Sequence, residues 1–231
     1  MPPSMSRAKQ LPEPTVARLP IYQRIVLEWI RRANRKIDSP TLGRLAGVAP
    51  ATVRRDLAYL GPLGTRGAGY DVEVLAAQIE AVLGHDRAYD VIVVGMGNLG
   101  KALVNSANFL ISGARLVGLY DVNPAVIGTE VNGLRVDSFA GPLAPATIAV
   151  LCVPASEAQV AADRLVESSV HAILNFAPQV VSVPIGTAVR YVDVSIELQI
   201  LAYHLTNGTG PLGGGVIHTL GISRPMPPLS A

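Results

Sequence analysis

The sequence predicts an α/β chain in two parts: a small basic helical module, then a doubly wound parallel sheet. Three observations support this prediction. A glycine-rich turn follows a buried, strand-like run at residues 91–94. Apolar runs then alternate with helical segments, as in parallel sheets covered on both faces. Before residue 61, two short helical segments are joined by a turn that contains glycine, and the charge there is strongly positive.

Length and composition bound the possible classes of protein. The 231 residues are comfortable for two domains, and the hydrophobic content of 49% supports substantial cores. The single cysteine, Cys152, excludes an intrachain disulfide. No apolar run approaches the ~20 residues of a membrane span, and the first residues lack the apolar segment of a signal peptide. We expect a cytoplasmic protein with no membrane partner and no metal.

The charge is distributed unevenly. Residues 1–60 carry 11 Lys and Arg against 4 Asp and Glu, whereas residues 61–231 carry 8 against 13. A basic N-terminal region followed by an acidic remainder predicts an N-terminal module that binds a polyanion. The proline-rich stretch 1–14 is predicted to be a flexible arm.

The basic region predicts a helix-turn-helix motif. Residues 21–30 fit an amphipathic helix. Ser39 and Pro40 then predict a cap and the start of a short helix over 41–46. After the turn at 47–50, a further helix begins at residue 51 and would bury Val53, Leu57 and Leu60.

The second helix of such a motif reads base edges with its N-terminal residues. Thr52, Arg54 and Arg55 are of the right types for this contact. The glycine-rich stretch 61–70 predicts a wing that presents Arg66 to a minor groove. Asp71 then predicts the cap of a helix over 72–83, ended by Gly84, and the domain boundary falls near 85–87.

The stretch 95–100 reads Gly-x-Gly-x-x-Gly and predicts a dinucleotide site. Gly95 permits the turn, Gly97 allows close approach of a pyrophosphate, and Gly100 allows helix and strand to pack. The helix is predicted to extend to about residue 110. A second strand, 116–120, ends at Asp121, about 20 residues after Gly100. A carboxylate at this position accepts hydrogen bonds from ribose hydroxyls and repels a 2′-phosphate.

The rest of the chain continues the alternation. We expect a hairpin-type connection over 128–133 into 134–136, strands at 146–154, 172–176 and 189–193, and a helix at 155–168 with Val160, Leu165 and Val166 among its apolar positions. A final apolar helix over 195–205 is a candidate dimer interface. From residue 208 on, Gly, Pro and Thr predict disorder.

With both modules placed, the chain resembles the Rex family of redox-sensing transcriptional repressors from about residue 15 to residue 207. The motifs that carry the resemblance are Leu19-Pro20-Ile21-Tyr22-Gln23-Arg24, Val53-Arg54-Arg55-Asp56-Leu57-Ala58-Tyr59, Gly64-Thr65-Arg66-Gly67-Ala68-Gly69-Tyr70, Val94-Gly95-Met96-Gly97-Asn98-Leu99-Gly100, Asp121-Val122-Asn123-Pro124, Val153-Pro154-Ala155, Leu174-Asn175-Phe176-Ala177-Pro178 and Asp193-Val194-Ser195-Ile196-Glu197-Leu198. The family often has Tyr-x-Gly-Phe where this chain has Ser106-Ala107-Asn108-Phe109.

The resemblance implies a homodimeric repressor that binds an operator in double-stranded DNA. NADH would release it and NAD⁺ would compete. The implied domains are a winged helix with its linker helix at 15–87, a Rossmann domain at 88–193, a domain-swapped helix at 194–207 and a tail at 208–231. The implied cofactor residues are Gly95, Met96, Gly97, Asn98, Leu99, Gly100, Asp121, Val153, Pro154, Ala155, Asn175, Phe176, Ala177, Pro178 and Asp193. The implied DNA contacts are Arg18, Thr52, Arg54, Arg55 and Arg66, and Arg24 with Asp193 would form a charged switch pair.

Two other functions remain open at this point. A nicotinamide-dependent oxidoreductase needs an acid or base near the hydride acceptor. Its candidates, His85, His171, His204 and His218, are poorly placed, and no substrate domain follows the sheet, so we expect no catalytic residues. A helix-turn-helix regulator that senses another nucleotide is the third function. Cys152 is expected to be a small buried residue.

Overall fold

The computed structural model describes residues 11–63, 69–84, 88–106, 109–110 and 113–207. The described residues up to Gly84 form one compact unit, and those from Ala88 onward form another. The predicted boundary at 85–87, the centre of the wing at 64–68, the first ten residues of the arm and the predicted tail lie outside the described residues.

The N-terminal unit has the order of elements of a winged helix. Its elements are α1 (Glu13–Arg31), β1 (Lys36–Ile37), α2 (Ser39–Ala46), α3 (Pro50–Ala58), β2 (Tyr70–Asp71) and α4 (Val72–Leu83). Helix α1 packs on α4, and α2 packs on α3. The two short strands pair antiparallel, with Ile37 opposite Tyr70. The core is formed by apolar side chains of all four helices, among them Tyr22, Leu42, Leu57 and Leu75.

Two predicted boundaries in this unit were wrong. Helix α1 begins at Glu13, inside the predicted arm, because Pro14 fits the first helical turn, where no N–H is required. Asp38, and not Ser39, caps α2: its carboxylate accepts a hydrogen bond from the backbone N–H of Thr41 at 2.8 Å. Ser39 is the first residue of the helix. The sequence places both possible caps side by side, and the capping geometry selects the carboxylate.

Helix α4 agrees with its prediction at both ends. Asp71 accepts hydrogen bonds from the backbone N–H groups of Glu73 and Val74, at 3.1 and 3.2 Å. Gly84 ends the helix in the left-handed conformation, with φ of 73°.

The second unit is a sheet of seven strands. These are β3 (Tyr89–Val94), β4 (Ala114–Asp121), β5 (Glu130–Val131), β6 (Leu134–Ser138), β7 (Ile148–Leu151), β8 (Ala172–Asn175) and β9 (Ala188–Tyr191), in the order β5-β6-β4-β3-β7-β8-β9. All neighbours pair parallel except β5 and β6. The predicted hairpin turn is Asn132-Gly133, where both residues have positive φ, 50° and 77°.

Alternating residues of β3 point to opposite faces of the sheet. Val91 and Val93 pack in a core that includes Val104 of α5 (Asn98–Val104). Ile92 and Val94 pack in a second core, with Leu165 of α6 (Ala158–Glu167). The two helices therefore cover opposite faces, which confirms the predicted doubly wound α/β fold.

Helix α5 is shorter than predicted. It ends at Val104 with Asn105 as its C-cap, instead of continuing to residue 110. Asn105 and Ser106 favour caps over helix interiors, so the apolar pattern alone overestimated its length. The predicted helix at 155–168 begins with a 3₁₀ turn, Ala155–Glu157, before α6. Strand β7 is likewise shorter than the predicted 146–154.

The last described helix, α7 (Val194–Asn207), buries none of its residues within the described part of the chain. Its large apolar side chains are exposed, with Leu201 at 58% and Leu205 at 86%. In the described part of the chain, every helix is too short or too polar to cross a bilayer.

Candidate nucleotide and DNA sites

The three glycines of the turn after β3 have different surroundings. Gly95 has φ of +93°, and a Cβ on it would lie 2.4 Å from the carbonyl oxygen of Cys152. A Cβ on Gly100 would lie 2.1 Å from the carbonyl oxygen of Gly95. A Cβ on Gly97 would meet nothing within 4 Å. The fold itself therefore requires Gly95 and Gly100, whereas the space beside Gly97 is open.

Helix α5 begins directly after this open space. Gly97 is its N-cap residue, and no side chain in the described residues caps it. The first N–H groups of a helix have no acceptor within the helix, and the helix dipole favours negative charge there. The turn can therefore hold the pyrophosphate of a dinucleotide on backbone N–H groups.

Asp121, the last residue of β4, faces this turn. Its Oδ2 accepts a hydrogen bond from the backbone N–H of Met96 at 2.7 Å. Its Oδ1 accepts one from the backbone N–H of Asn123 at 2.8 Å. Both oxygens are held in place, and each keeps a lone pair for a further donor such as a ribose hydroxyl.

A cavity of about 510 Å³ opens at the carboxyl ends of β3, β4 and β7. Parallel sheets bind ligands at this edge, where the strand order reverses. The predicted cofactor residues that line the cavity are Gly95, Gly97, Asn98, Leu99, Asp121, Val153 and Pro154. The cavity lining does not include the predicted residues Met96, Gly100, Ala155, Asn175, Phe176, Ala177, Pro178 and Asp193.

Asn175 shapes the loop after β8. Its side chain is buried: Oδ1 accepts from the backbone N–H of Ala177 at 2.8 Å, and Nδ2 donates to the carbonyl of Gln179 at 2.9 Å. The predicted cofactor contacts of residues 175–178 stay predictions. What the structure shows is that Asn175 orders the backbone of this loop.

The cavity is also lined by residues that the sequence motifs did not assign to the site: Val94, Val122, Asn123, Val126, Phe139, Glu157, Val160 and Ala161. Val122 and Asn123 follow Asp121 directly, so their position was a usable signal. Two apolar positions of the predicted helix have different surroundings: Val160 is 68% exposed and lines the cavity, whereas Leu165 is fully buried.

Cys152 lies in the same cavity and is partly buried. Burial raises the pKa of its thiol to about 12. The residue is therefore a neutral thiol near pH 7 and behaves there as a small apolar group.

Helix α3 of the N-terminal unit separates its two faces cleanly. Val53, Leu57 and the following Leu60 are buried, as predicted. Arg54 and Arg55 are exposed and Thr52 is half-buried. The outer face of α3 can therefore present two guanidinium groups to a polyanion. The predicted wing residue Arg66 lies outside the described residues.

Arg18 does not lie on that outer face. Its Nε donates to Oδ2 of Asp56 at 2.6 Å, and its Nη2 donates to Oδ1 at 2.8 Å. Only 22% of the Arg18 side chain is exposed. Its predicted contact with DNA stays a prediction, and the structure assigns two of its donors to another residue.

Each of the two units matches a known family of protein domains. Residues 10–58 match the family described as "Putative DNA-binding protein N-terminus", and residues 86–179 match "CoA binding domain". A redox-sensing transcriptional repressor Rex of Streptomyces griseus is 46% identical over 208 residues, which cover 86% of this chain and 81% of that protein. The chain belongs to the Rex family. A Rex repressor of Roseiflexus sp. is 38% identical and covers 87% of this chain and 94% of its own.

Solved Rex structures share the fold. The structure of RSP, a Rex-family repressor, in complex with β-NAD⁺ and operator DNA has a TM-score of 0.78 and 32% identity, and covers 87% of this chain and 94% of that one. RSP in complex with β-NADH has a TM-score of 0.75 and 31% identity, over 86% and 95%. The resemblance to Rex drawn from the motifs is thereby confirmed.

The predicted Rex switch pair falls in separate units. Arg24 of α1 is exposed. The carboxylate of Asp193 accepts hydrogen bonds from the backbone N–H and hydroxyl of Ser195, which lower its pKa. Asp193 therefore orients the start of α7, and its pairing with Arg24 stays a prediction. Residues 107–108 of the segment that departs from the Rex pattern lie outside the described residues.

Proposed function

We propose that this chain is a DNA-binding transcriptional repressor that senses the ratio of NADH to NAD⁺ and leaves its operator when NADH binds. The observation that carries the proposal is that one chain combines a candidate nucleotide site with a candidate DNA-binding helix. An oriented Asp121 faces the open space at Gly97 in one unit, and a helix-turn-helix presents Arg54 and Arg55 in the other. RSP, bound to NAD⁺ with operator DNA and to NADH, supports the same pairing of ligands. We propose that the protein acts in the cytoplasm, where it would meet both DNA and the nicotinamide pool.

Discrimination between the two ligands follows from their charge. NAD⁺ carries a positive charge on the nicotinamide ring that NADH lacks. An apolar, partly closed pocket penalises the cation, because a buried charge loses its hydration. We propose that the ring lies at the part of the cavity formed by Leu99, Val153, Pro154 and Cys152, where the side chains are apolar or uncharged near pH 7, and away from the carboxylates of Asp121 and Glu157, which also line the cavity. A 100-fold preference for NADH corresponds to about 2.7 kcal/mol.

The response at DNA requires two copies of the chain. A helix-turn-helix dimer binds two half-sites at a fixed spacing, so a ligand that changes the spacing of the recognition helices releases the operator. Helix α7 is the natural dimer contact, because its apolar residues, among them Ile200 and Leu201, have no cover within the described chain. We propose a homodimer that exchanges α7.

The protein is proposed not to be an enzyme. His171 precedes β8 at the amino ends of the strands, whereas the cavity lies at the carboxyl ends. His204 lies on α7, outside the cavity lining. Neither is placed to transfer a proton at a substrate beside the nicotinamide. His85 and His218 lie outside the described residues.

A labelled operator tests the proposal directly. The operator is first selected from a pool of random duplexes, then bound by the protein and titrated with NADH and, separately, with NAD⁺, with fluorescence anisotropy as the readout. Release by NADH at concentrations where NAD⁺ does little is the expected result. Absence of binding to any selected duplex would overturn the DNA-binding function.

The match to a CoA binding domain supports a second candidate, a regulator that senses another adenosine nucleotide. CoA carries a phosphate on its adenosine ribose, and the Asp121 carboxylate would repel it. NADH, NAD⁺, NADPH and CoA should therefore be compared by isothermal titration calorimetry. Tight binding of CoA with no binding of NADH would show that the regulator senses CoA and not the redox state of the nicotinamide pool.

A further inference from the structure

Asp56 is a charged side chain in the core of the DNA-binding unit. It lies on α3 directly after Arg55, and its exposed fraction is 0%. Among the described residues, it is the one carboxylate side chain that is buried. A buried carboxylate is costly unless it is paired and hydrogen-bonded, so its partners require an explanation.

All of its described partners come from α1. The hydroxyl of Thr15 donates to Oδ1 at 2.9 Å, and the hydroxyl of Tyr22 donates to Oδ2 at 2.8 Å. Arg18 donates to both oxygens from Nε and Nη2. The three donors are spaced along one face of α1, at positions i, i+3 and i+7. One carboxylate of α3 thus receives four hydrogen bonds from a neighbouring helix.

The network has a defined protonation state. Burial alone would raise the pKa of Asp56, but the hydrogen bonds from Arg18, Tyr22 and Thr15 lower it below its usual value. Burial together with the bond to Asp56 raises the pKa of Tyr22. Near pH 7 the network therefore consists of a carboxylate, a guanidinium and two neutral hydroxyls. Its geometry is directional, because a bidentate guanidinium fixes both distance and plane.

Directional contacts and apolar contacts constrain α3 differently. Val53 and Leu57 hold the helix on the core, but apolar packing alone tolerates small rotations and shifts along the helix axis. Asp56 neighbours Arg55 in the chain and points into the core, while Arg54 and Arg55 are exposed. A rotation of α3 that moved these guanidiniums would break the four hydrogen bonds.

We propose that Arg18 is a positioning residue for DNA recognition: through Asp56 it sets the rotation of α3, and thereby aims Arg54 and Arg55. This inference rests on the proposed DNA-binding function. It replaces the simpler role predicted from the sequence, in which Arg18 is one more cation that contacts phosphate.

The two roles differ in their effect on DNA binding. Loss of a phosphate contact weakens binding to every sequence and reduces the slope of log Kd against log salt by about 0.9. Loss of a positioning residue leaves non-specific binding and the salt slope unchanged, because the cations on the surface remain. It weakens binding to the selected operator, because base contacts depend on the orientation of the helix.

The experiment measures the affinity of full-length protein for the selected operator and for a scrambled duplex of equal length, at several salt concentrations. The variants are Arg18→Met, Asp56→Asn and the double variant, with Arg115→Met as a charge-matched control on the other unit. We expect Arg18→Met to lose about tenfold or more on the operator, because base contacts from a rotated α3 are weakened, and less than about twofold on the scrambled duplex. Because Arg18 acts through Asp56, adding Arg18→Met to Asp56→Asn should change little.

An equal loss on both duplexes, with a reduced salt slope, would overturn the proposal in favour of a phosphate contact. Additive effects of the two substitutions would also overturn it. If wild-type protein binds neither duplex, it is the DNA-binding function that fails, and this outcome is distinct. If circular dichroism shows that Arg18→Met does not fold, the same measurements on Arg18→Lys test the proposal. Lysine keeps the charge but not the planar fork, so we expect operator affinity to fall while scrambled-duplex affinity holds; retained operator affinity would overturn the proposal.

Discussion

The backbone N–H of Met96 donates a hydrogen bond to Oδ2 of Asp121 at 2.7 Å. Met96 belongs to the glycine-rich turn after β3, and Asp121 ends the neighbouring strand β4. The bond therefore joins the part of the site predicted to hold pyrophosphate to the part predicted to hold ribose. Since the backbone N–H of Asn123 holds the other carboxylate oxygen, the orientation of the acid is set by the protein's own backbone. Such preorganisation reduces the entropy lost on binding.

Substitution of Asp121 should change both affinity and selectivity. We expect Asp121→Ala to weaken NADH binding by about ten- to a hundredfold, the usual contribution of hydrogen bonds to a charged acceptor. Binding of NADPH should weaken less, because repulsion of the 2′-phosphate is lost too. Calorimetry with both nucleotides measures the ratio. Asp137→Ala is the matched control, since Asp137 is exposed on β6 and outside the cavity lining. An unchanged NADH-to-NADPH ratio would show that Asp121 does not face the ribose.

Gly97 and Gly95 allow a separation of ligand binding from folding. Gly97→Ala places a methyl group where nothing lies within 4 Å, so thermal unfolding should match wild type. The same methyl group occupies the space of the predicted pyrophosphate, and NADH affinity should fall at least about tenfold. Gly95→Ala should instead destabilise the protein, because its methyl group would lie 2.4 Å from the Cys152 carbonyl oxygen at positive φ. Normal NADH affinity in Gly97→Ala would show that the pyrophosphate does not bind at this turn.

The sequence predicted those parts of the fold that follow from local patterns. Glycine spacing located the turn at 95–100, and the continuous run of β-branched residues at 91–94 located β3, because both patterns report directly on backbone conformation and burial. Asp71 and Gly84 marked the ends of α4 for the same reason.

The parts that were missed depend on contacts between distant residues. The hydrogen bonds of Arg18 to Asp56 join residues 38 positions apart, and a lone arginine in a basic region gives no sign of a buried partner. Val160 has the helical spacing of a core residue, yet the edge of the sheet leaves it in the cavity. Gly43 was not recognised: a Cβ there would lie 2.7 Å from the carbonyl oxygen of Val48, so the turn between α2 and α3 requires it.

The exposed arginines of α3 should carry affinity for DNA without affecting the nucleotide. We expect Arg54→Ala to weaken operator binding by about 1–3 kcal/mol if it reads a base, and to leave NADH affinity unchanged, because it lies outside the second unit. Arg115→Ala is the control of equal charge, exposed on β4 and paired with Asp90. Anisotropy and calorimetry on the same preparations measure both. Parallel loss of DNA and NADH binding in Arg54→Ala would contradict a two-unit division of labour.

The apolar face of α7 should hold the dimer together. Leu201→Glu replaces a 58% exposed leucine with a charge, and we expect the dissociation constant of the dimer to rise at least about tenfold. Gln199→Glu adds the same charge at an exposed polar position of the helix and should leave the dimer intact. Analytical ultracentrifugation over a range of concentrations measures both. A wild-type protein that sediments as a monomer at all concentrations would exclude this role for α7.

Cys152 should react as a thiol whose ionisation is suppressed by burial. Its pKa is raised from 9.0 to about 12, so the folded protein holds the proton over a pH range in which the unfolded chain releases it. Stability from this group is therefore complete below about pH 9 and declines as pH rises toward about 12. Iodoacetamide should alkylate the folded protein slowly at pH 8, with a rate that keeps rising past pH 9, whereas the chain unfolded in guanidinium levels off there. Since Cys152 lines the cavity, saturating NADH should slow alkylation further. Equal rates for folded and unfolded protein would show that the thiol is not buried, and a rate unaffected by NADH would place the ligand away from it.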